Sequence, residues 1–266
     1  MKRIGLITGY FDPINILDID LAKTALKRLN LDKIGFFVKP GSNYQHRFNM
    51  VKQAIGPYRH LMIAENIEEK YFAIIDPRLD QGLISDDFLN VPRTISRYAI
   101  DHCLYFDRLV FKQVSRKRYE HIRSTAELAR DLAAHYHLNS EHARVAGYLH
   151  DYTKEWPKEK QMQTVLRYFP EHIKENAKVY HQYTAGLTAR QLFQIRQTDI
   201  LDAISNHVNG TDRKRLSRII FCADKVEDTR GFDNTEIKTL CFRNIDQAFD
   251  LIRSEQLNYI KGARNE

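Results

Sequence analysis

Over its first 110 residues the chain alternates two apolar patterns. Short β-type runs, "RIGLITGYF", "KIGFFVKP" and "YFAIIDP", are separated by stretches with apolar residues three and four apart, "DLAKTALKRL" and "RFNMVKQAI". Strand, helix and strand in succession predict a small parallel sheet with crossover helices, because parallel neighbours cannot be joined by a tight turn. From about residue 113 the β-type runs fade and a 3.6-residue period holds nearly throughout, so that half is expected to be all-helical. The expected organisation is therefore two domains, an α/β domain over 1–112 and an all-α bundle over 113–266. No repeat or low-complexity linker marks the boundary, which rests on the change of period.

Composition narrows the class. With 266 residues the chain can bury a substantial core. It has no apolar run of about 18 residues that would cross a bilayer, and its start, "MKRIGLITGYFDP", turns polar too soon for a secretory signal. Cys103, Cys222 and Cys241 are odd in number and widely spaced, which fits neither a disulfide framework nor a zinc knuckle. A cytoplasmic protein with no membrane partner is the expectation. The formal charge of +7 favours anionic partners, but its densest clusters are only "RKR" at 116–118 and "DRKR" at 212–215. That pattern suits phosphate-bearing small molecules better than nucleic acid.

The helical half places histidines and acids on its apolar stripes. His121 is in line with Thr125, Leu128 and Leu132; His150 completes Ala143, Ala146 and Gly147, with Asp151 beside it. His181 leads Ala185, Thr188 and Leu192, His207 completes Ile200, Ala203 and Ile204, and Asp224 follows Ile220 and Phe221. A single histidine on such a face is more often a satisfied core residue than a ligand. Four imidazoles and two carboxylates aimed inward together are another matter, because each buried unpaired polar group costs about 1–3 kcal/mol and charges cost more. Metal ions supply the compensation. The set lacks thiolate and suits iron, manganese or zinc in an open site. Six ligands exceed the needs of one ion that also holds water, so two ions are expected, with Asp151 as the bridge. Such a pair activates a water and clamps a phosphoryl oxygen, which points to hydrolysis of a phosphate ester or anhydride. Lys154 and Arg230 lie close enough in sequence to offset phosphate charge, though both also read as ordinary ion-pair residues.

The order of His121, the His150-Asp151 pair and Asp224 resembles the H…HD…D signature of HD-domain phosphohydrolases, covering roughly 115–250. The segments "RYEHIRSTAELA", "AGYLHDYTKEW", "VYHQYTAG", "AISNHVNG" and "IIFCADKVEDTR" are similar to the bacterial YqeK-type subgroup. That resemblance implies two extra ligands, matched by His181 and His207, a di-iron centre, and symmetrical cleavage of diadenosine tetraphosphate to two ADP. His121, His150, Asp151 and Asp224 would hold one ion; His181 and His207, with bridging Asp151, the other. Where the subgroup reads H-T-T-G-R, this chain has "HVNGT", which keeps Gly210 as a candidate nucleotide contact and loses both hydroxyls and the arginine.

The first half resembles nicotinate-nucleotide adenylyltransferases, which implies a small Rossmann-like domain. "GYFDPINILD" is similar to their G-x-F-D-P-x-H-x-G-H opening, with Asn15 and Asp18 in place of the two phosphate-binding histidines, and "KPGSNYQHRFNMVKQAI" to their substrate loop and following helix. His46 and Arg47 are candidate phosphate contacts there. "RTISRYAID" keeps only Ile95-Ser96 of the closing motif. The reading is a degenerate nucleotidyltransferase-like domain followed by a metal-dependent hydrolase of a nucleotide or dinucleoside polyphosphate. The alternatives are an adenylyltransferase making a dinucleotide from ATP and a non-catalytic nucleotide sensor. A homodimer is compatible with each.

Overall fold

A computed structural model describes residues 2–67, 71–75, 90–231 and 233–262. The chain divides into two compact units, Met1–His102 and Cys103–Glu266.

The first unit runs β1 (Ile4–Gly9), α1 (Ile16–Arg28), β2 (Lys33–Val38), α2 (Tyr44–Ile55), β3 (Leu61–Ile63), β4 (Ala73–Ile75) and α3 (Arg93–Asp101). The strands form one sheet in the order β3-β2-β1-β4 with every pairing parallel. This is the alternation the sequence pattern predicts; the last two residues of the run at 71–77 lie outside the described residues. Leu6, Ile7, Ile34, Phe36 and Val38 of the central strands are buried, and Ile19, Ala22 and Ala25 of α1 and Met50, Val51 and Ala54 of α2 are buried with them. The helix α1 starts sharply because Asn15 caps it. The Asn15 side chain accepts from the Asp18 amide while the Asp18 carboxylate accepts from the Asn15 amide, a reciprocal capping box.

The second unit is helical: α4 (Phe106–Gln113), α5 (Arg116–His135), α6 (Ser140–Leu149), α7 (Lys158–Tyr168), α8 (Tyr180–Gln191), α9 (Thr198–Asn206), α10 (Arg215–Val226), α11 (Thr235–Arg243) and α12 (Ile245–Gly262). The packing division falls ahead of the change of period near 113 because α4 buries Phe106 and Val110 and packs on α5 and α6. Helices α5 and α6 approach so closely that a Cβ on Gly147 would lie 2.5 Å from the Cα of Ala126. The α10 helix is central, packed on α5, α6, α9, α11 and α12. Its residues Ile219 to Ala223 are fully enclosed, as expected of a helix apolar on nearly all sides.

Candidate metal centre

Five helices deliver the six stripe residues to one place. His121 lies in the second turn of α5, His150 caps the end of α6 with Asp151 next to it, His181 is in the first turn of α8, His207 caps α9, and Asp224 is in the last turn of α10. The turn after α6 is held from several sides. Gln161 Nε2 donates to the carbonyls of Thr153, Lys154 and Trp156. Thr153 Oγ1 donates to the His181 carbonyl, and the amide and hydroxyl of Ser115 both donate to the Glu155 carboxylate at 2.7 Å.

The six side chains form two groups that share Asp151. His121 Nε2 and His150 Nε2 are 3.4 Å apart, each 3.7 Å from Asp151 Oδ2 and 3.2 and 3.6 Å, respectively, from Asp224 Oδ1. His181 Nε2 and His207 Nε2 are 3.2 Å apart, at 3.1 and 3.5 Å from Asp151 Oδ1. Two donors each about 2.1 Å from one ion, at angles between octahedral and tetrahedral, would be about 3.0–3.4 Å apart. Both imidazole pairs have that spacing. The sets His121-His150-Asp151, His150-His207-Asp224 and Asp151-His181-His207 are each tight enough to hold an ion.

The hydrogen bonding fits a cation and little else. His150 Nδ1 is 2.6 Å from the Gly147 carbonyl and His207 Nδ1 is 2.7 Å from the Ile204 carbonyl. A carbonyl can only accept, so both Nδ1 atoms carry the proton and both Nε2 atoms present lone pairs to the centre. Burial pushes the His207 imidazole down to about 3 and lowers His181 as well, which keeps them neutral. Burial alone would raise the Asp151 carboxyl, but His150, His181 and His207 overcome it and hold it well below the ordinary range; Asp224 is held low by Lys225, His121 and His150 against the same penalty. Lone pairs and carboxylates therefore converge in a site no more than 8% exposed. His121 differs. Burial opposes its protonation, but bonds to Asp224 and Glu227 win and raise its pKa, so an ion bound there would displace a proton from Nε2.

A family model for the HD domain matches residues 118–229. The symmetrical bis(5'-nucleosyl)-tetraphosphatase of Bacillus subtilis is 30% identical over 143 residues, spanning 52% of this chain and 77% of that protein. The chain belongs to the HD-domain family. A probable nicotinate-nucleotide adenylyltransferase/Ap4A hydrolase of Mycoplasma genitalium is 25% identical over 213 residues, 75% of this chain; the chain spans 60% of that protein's length. The crystal structure of a predicted HD superfamily hydrolase involved in NAD metabolism from Clostridium acetobutylicum superposes with a TM-score of 0.56 at 25% identity, covering 59% of this chain and 86% of that one.

Around the HD residues the other candidates fall differently. Lys154 Nζ lies against the His181 ring, 2.8 Å from Nε2 and 3.3 Å from Nδ1, and burial pulls its ammonium below the ordinary lysine value against the attraction of Asp151 and Asp224. Arg230 donates to the carbonyl and Oδ1 of Asp224, so it holds a candidate ligand in place. Gly210 has φ +57°, and a Cβ there would meet the Phe221 ring at 2.7 Å, so its conformation and packing account for it. In the first unit Asn15 and Asp18 are engaged with each other in the capping box. Arg47, read from the sequence as a phosphate contact or a surface residue, is 1% exposed and donates to the carbonyls of Ser42, Tyr10 and Lys39. His46 Nδ1 meets the Tyr98 hydroxyl at 3.1 Å, and the Asn49 amide donates to the same oxygen.

Three residues around the HD centre escaped the sequence reading. Arg118 Nη1 donates to Asp151 Oδ2 at 2.7 Å, Glu227 accepts from His121 Nδ1 at 2.9 Å, and Lys225 Nζ donates to Asp224 Oδ2 at 2.8 Å. Arg118 precedes His121 by three residues and Glu227 follows Asp224 by three, so each lies one helical turn from a stripe residue. Extending the stripes by one turn finds both. Lys225 has no such signal.

Proposed function

We propose that the helical unit hydrolyses a nucleotide phosphoanhydride at a dinuclear centre, with diadenosine tetraphosphate, cut symmetrically to two ADP, as substrate. The observation that carries the dinuclear part is the division of Asp151, whose Oδ2 faces the His121-His150 pair and whose Oδ1 faces the His181-His207 pair. His121, His150, Asp151 and Asp224 hold one ion and His181, His207 and Asp151 the other, iron being our first assignment, with manganese and zinc served by the same ligands. When bound, the two ions supply Lewis-acid stabilisation of phosphoryl charge and an acidified water. The chain's own residues fix that arrangement. Carbonyls of Gly147 and Ile204 orient His150 and His207, Glu227 orients His121, and Arg118 and Arg230 hold the two carboxylates. Lys154 is the cation we assign to the reacting phosphate. The substrate assignment is supported by the relatives' names and by the sequence resemblance; the HVNGT loop is where its nucleotide contacts would differ.

The adenylyltransferase alternative draws support from the Mycoplasma genitalium relative's double name. The capping box weighs against it, because Asn15 and Asp18 already satisfy each other's backbone where two free donors to a triphosphate would be needed. The deciding experiment takes full-length protein purified without oxygen, measures bound metal, and incubates it with diadenosine tetraphosphate and with ATP plus nicotinate mononucleotide. ADP as sole product, lost in Asp151→Ala, is the expected result. Pyrophosphate release that survives Asp151→Ala would establish the alternative, and tight nucleotide binding without turnover in the fully metallated protein would establish a sensor.

A further inference from the structure

Basic residues that the sequence scatters are gathered by the parallel sheet at one of its ends. All four strands start there, with Ile4 opposite Lys33, Ile34 opposite Leu61 and Gly5 opposite Ala73. His60, Lys33, Ile4 and Phe72 therefore follow one another across the strand starts, in steps of about 4.8 Å. The end of α1 borders this row, because Arg3 Nη2 donates to the Leu29 carbonyl at 2.8 Å. The segments that meet here, 2–4, 26–34, 56–61 and 71–73, contain Lys2, Arg3, Lys27, Arg28, Lys33 and Arg59 against a single acid, Asp32.

That acid is already engaged, since Asp32 Oδ2 accepts from the Arg3 amide at 2.7 Å. Among the described residues no carboxylate pairs with Lys27, Arg28, Lys33 or Arg59, and Arg59 gives its Nε to the neutral acceptor His60 Nε2. Lys27 and Arg28 also complement the carbonyl end of α1, but Lys33 and Arg59 complement no helix. Two aromatic rings accompany the cations. Phe72 is 56% exposed, with the Arg3 guanidinium 4.1 Å from its centroid, and Tyr58 is 36% exposed, with Lys23 Nζ at 4.6 Å. Each ring is steadied by a cation and keeps open surface.

We propose that this end of the sheet binds single-stranded nucleic acid, with backbone phosphates on Lys27, Arg28, Lys33 and Arg59 and bases against Phe72 and Tyr58. A single strand answers both features of the surface, because its phosphates meet the unpaired cations and every base has a face to stack on a ring. A lipid headgroup layer would meet the cations and leave the rings unanswered. The surface lies at the amino ends of the strands. The loops carrying Tyr10 and Lys39 follow β1 and β2 at the opposite end of the sheet, where ligands of open parallel sheets ordinarily bind. Binding here therefore leaves that end, and the helical unit's own ligands, uninvolved.

The test measures fluorescence anisotropy of labelled oligouridylate and oligoadenylate, about 12 nucleotides long, with the full-length protein. Four phosphate contacts on a single strand predict a loss of about 50-fold in affinity between about 50 and about 200 mM salt. Lys27→Glu combined with Arg28→Glu, both exposed, should weaken binding at least tenfold and roughly halve the salt slope, and Arg59→Glu alone should lower both in the same direction. Phe72→Leu should weaken binding about threefold or more with the slope unchanged, because it removes stacking and no charge. Lys158→Glu combined with Lys160→Glu, the same charge change on α7, should stay within twofold of wild type. Circular dichroism checks that each variant keeps its fold. Affinity and slope unaltered by Lys27→Glu with Arg28→Glu, or an equal loss in the α7 variant, overturn the proposed surface. Absence of oligonucleotide binding at the lower salt overturns it as well, and capture by phosphatidylglycerol vesicles in that case would assign the cations to a lipid surface.

Discussion

Both units bury polar side chains, but they satisfy them in opposite ways. In the sheet unit donors are matched to backbone acceptors: Arg47 gives Nε and Nη1 to three loop carbonyls, with its Nη2 left over, and Asn15 and Asp18 exchange hydrogen bonds across the first turn of α1. In the helical unit acceptors crowd together, with the Nε2 atoms of His181 and His207 3.2 Å apart beside Asp151 and the His150 Nε2 lone pair 3.6 Å from Asp224. The sheet unit's set needs no cation to hold it, although it leaves the buried Arg47 Nη2 as a spare donor. An unmatched set of acceptors at low exposure is stable only with cations, which Arg118, Lys154, Lys225 and Arg230 supply in part. Burial alone does not separate a site from a scaffold; the balance of donors and acceptors does.

The hardest break of that contrast is at Asp151. Asp151→Asn replaces one carboxylate oxygen with an NH₂ aimed at an imidazole lone pair, so the residue can no longer face both pairs as an acceptor. Turnover should fall by at least about 10³-fold, since several kcal/mol of metal stabilisation is lost. Elemental analysis should show no more than one ion per chain. Retention of two ions with near-normal turnover would remove the bridge from the reading.

The matching break in the sheet unit is Arg47→Met. It fills the same buried space but leaves three carbonyls without their donor, each worth about 1–3 kcal/mol when unsatisfied. With partial relaxation the unit should lose about 3 kcal/mol, and metal content in the helical unit should not change. Because the chain has two compact units, hydrogen exchange resolved by segment is the appropriate readout. Loss of nucleotide affinity with no loss of stability would instead restore Arg47 to the phosphate role that the sequence reading allowed.

The contrast also explains what could be read in advance. The sheet and its crossover helices were legible because a period of two and a period of 3.6 alternate cleanly. The six residues of the centre were legible because a helical stripe states which residues share a face, and His121, His150, His181 and His207 all sit at its continuation. Arg118 and Glu227 obey the same rule one turn further on, but charged residues near helix ends read by default as solvated. Arg47 could not be placed, since its partners Tyr10 and Lys39 lie in other loops and are joined to it only by the fold. Gly210 read as part of a substrate loop because its contact, the Phe221 ring, is on another helix.

A milder change sharpens the account of the centre without removing a ligand. Glu227 is fully buried, is held down to about 2 by bonds from His121 and Thr229 that outweigh its burial, and accepts from His121 Nδ1. Glu227→Gln keeps the shape and loses the charge that makes the imidazole a better ligand. Metal affinity of the first group should fall about 10- to 100-fold, the usual effect of losing such a partner, with the second group less affected. Calorimetric titration separates the two. An unchanged first site would show that the Glu227 bond orients nothing.

The smallest effect tests the matched side of the contrast and carries a sign of its own. Burial raises the Asp18 carboxyl to about 6, against the lowering effect of the Asn15 amide. An acid whose folded pKa lies above its unfolded value, near 3.9, binds its proton more tightly when folded. Its contribution to stability is therefore fully present below about pH 4 and is lost as pH rises through about 6. Asp18→Asn keeps a side-chain oxygen for the Asn15 amide and cannot ionise, so at pH 8 it should stabilise the sheet unit. The full shift corresponds to about 3 kcal/mol, but partial exposure and the loss of a favourable anion at a helix N-terminus reduce the gain to about 1 kcal/mol. Denaturant midpoints for that unit should differ at pH 8 and coincide near pH 4. Destabilisation at both pH values would mean that the carboxylate charge is itself a stabilising part of the cap, and the donor and acceptor balance drawn for this unit would need a charge term as well.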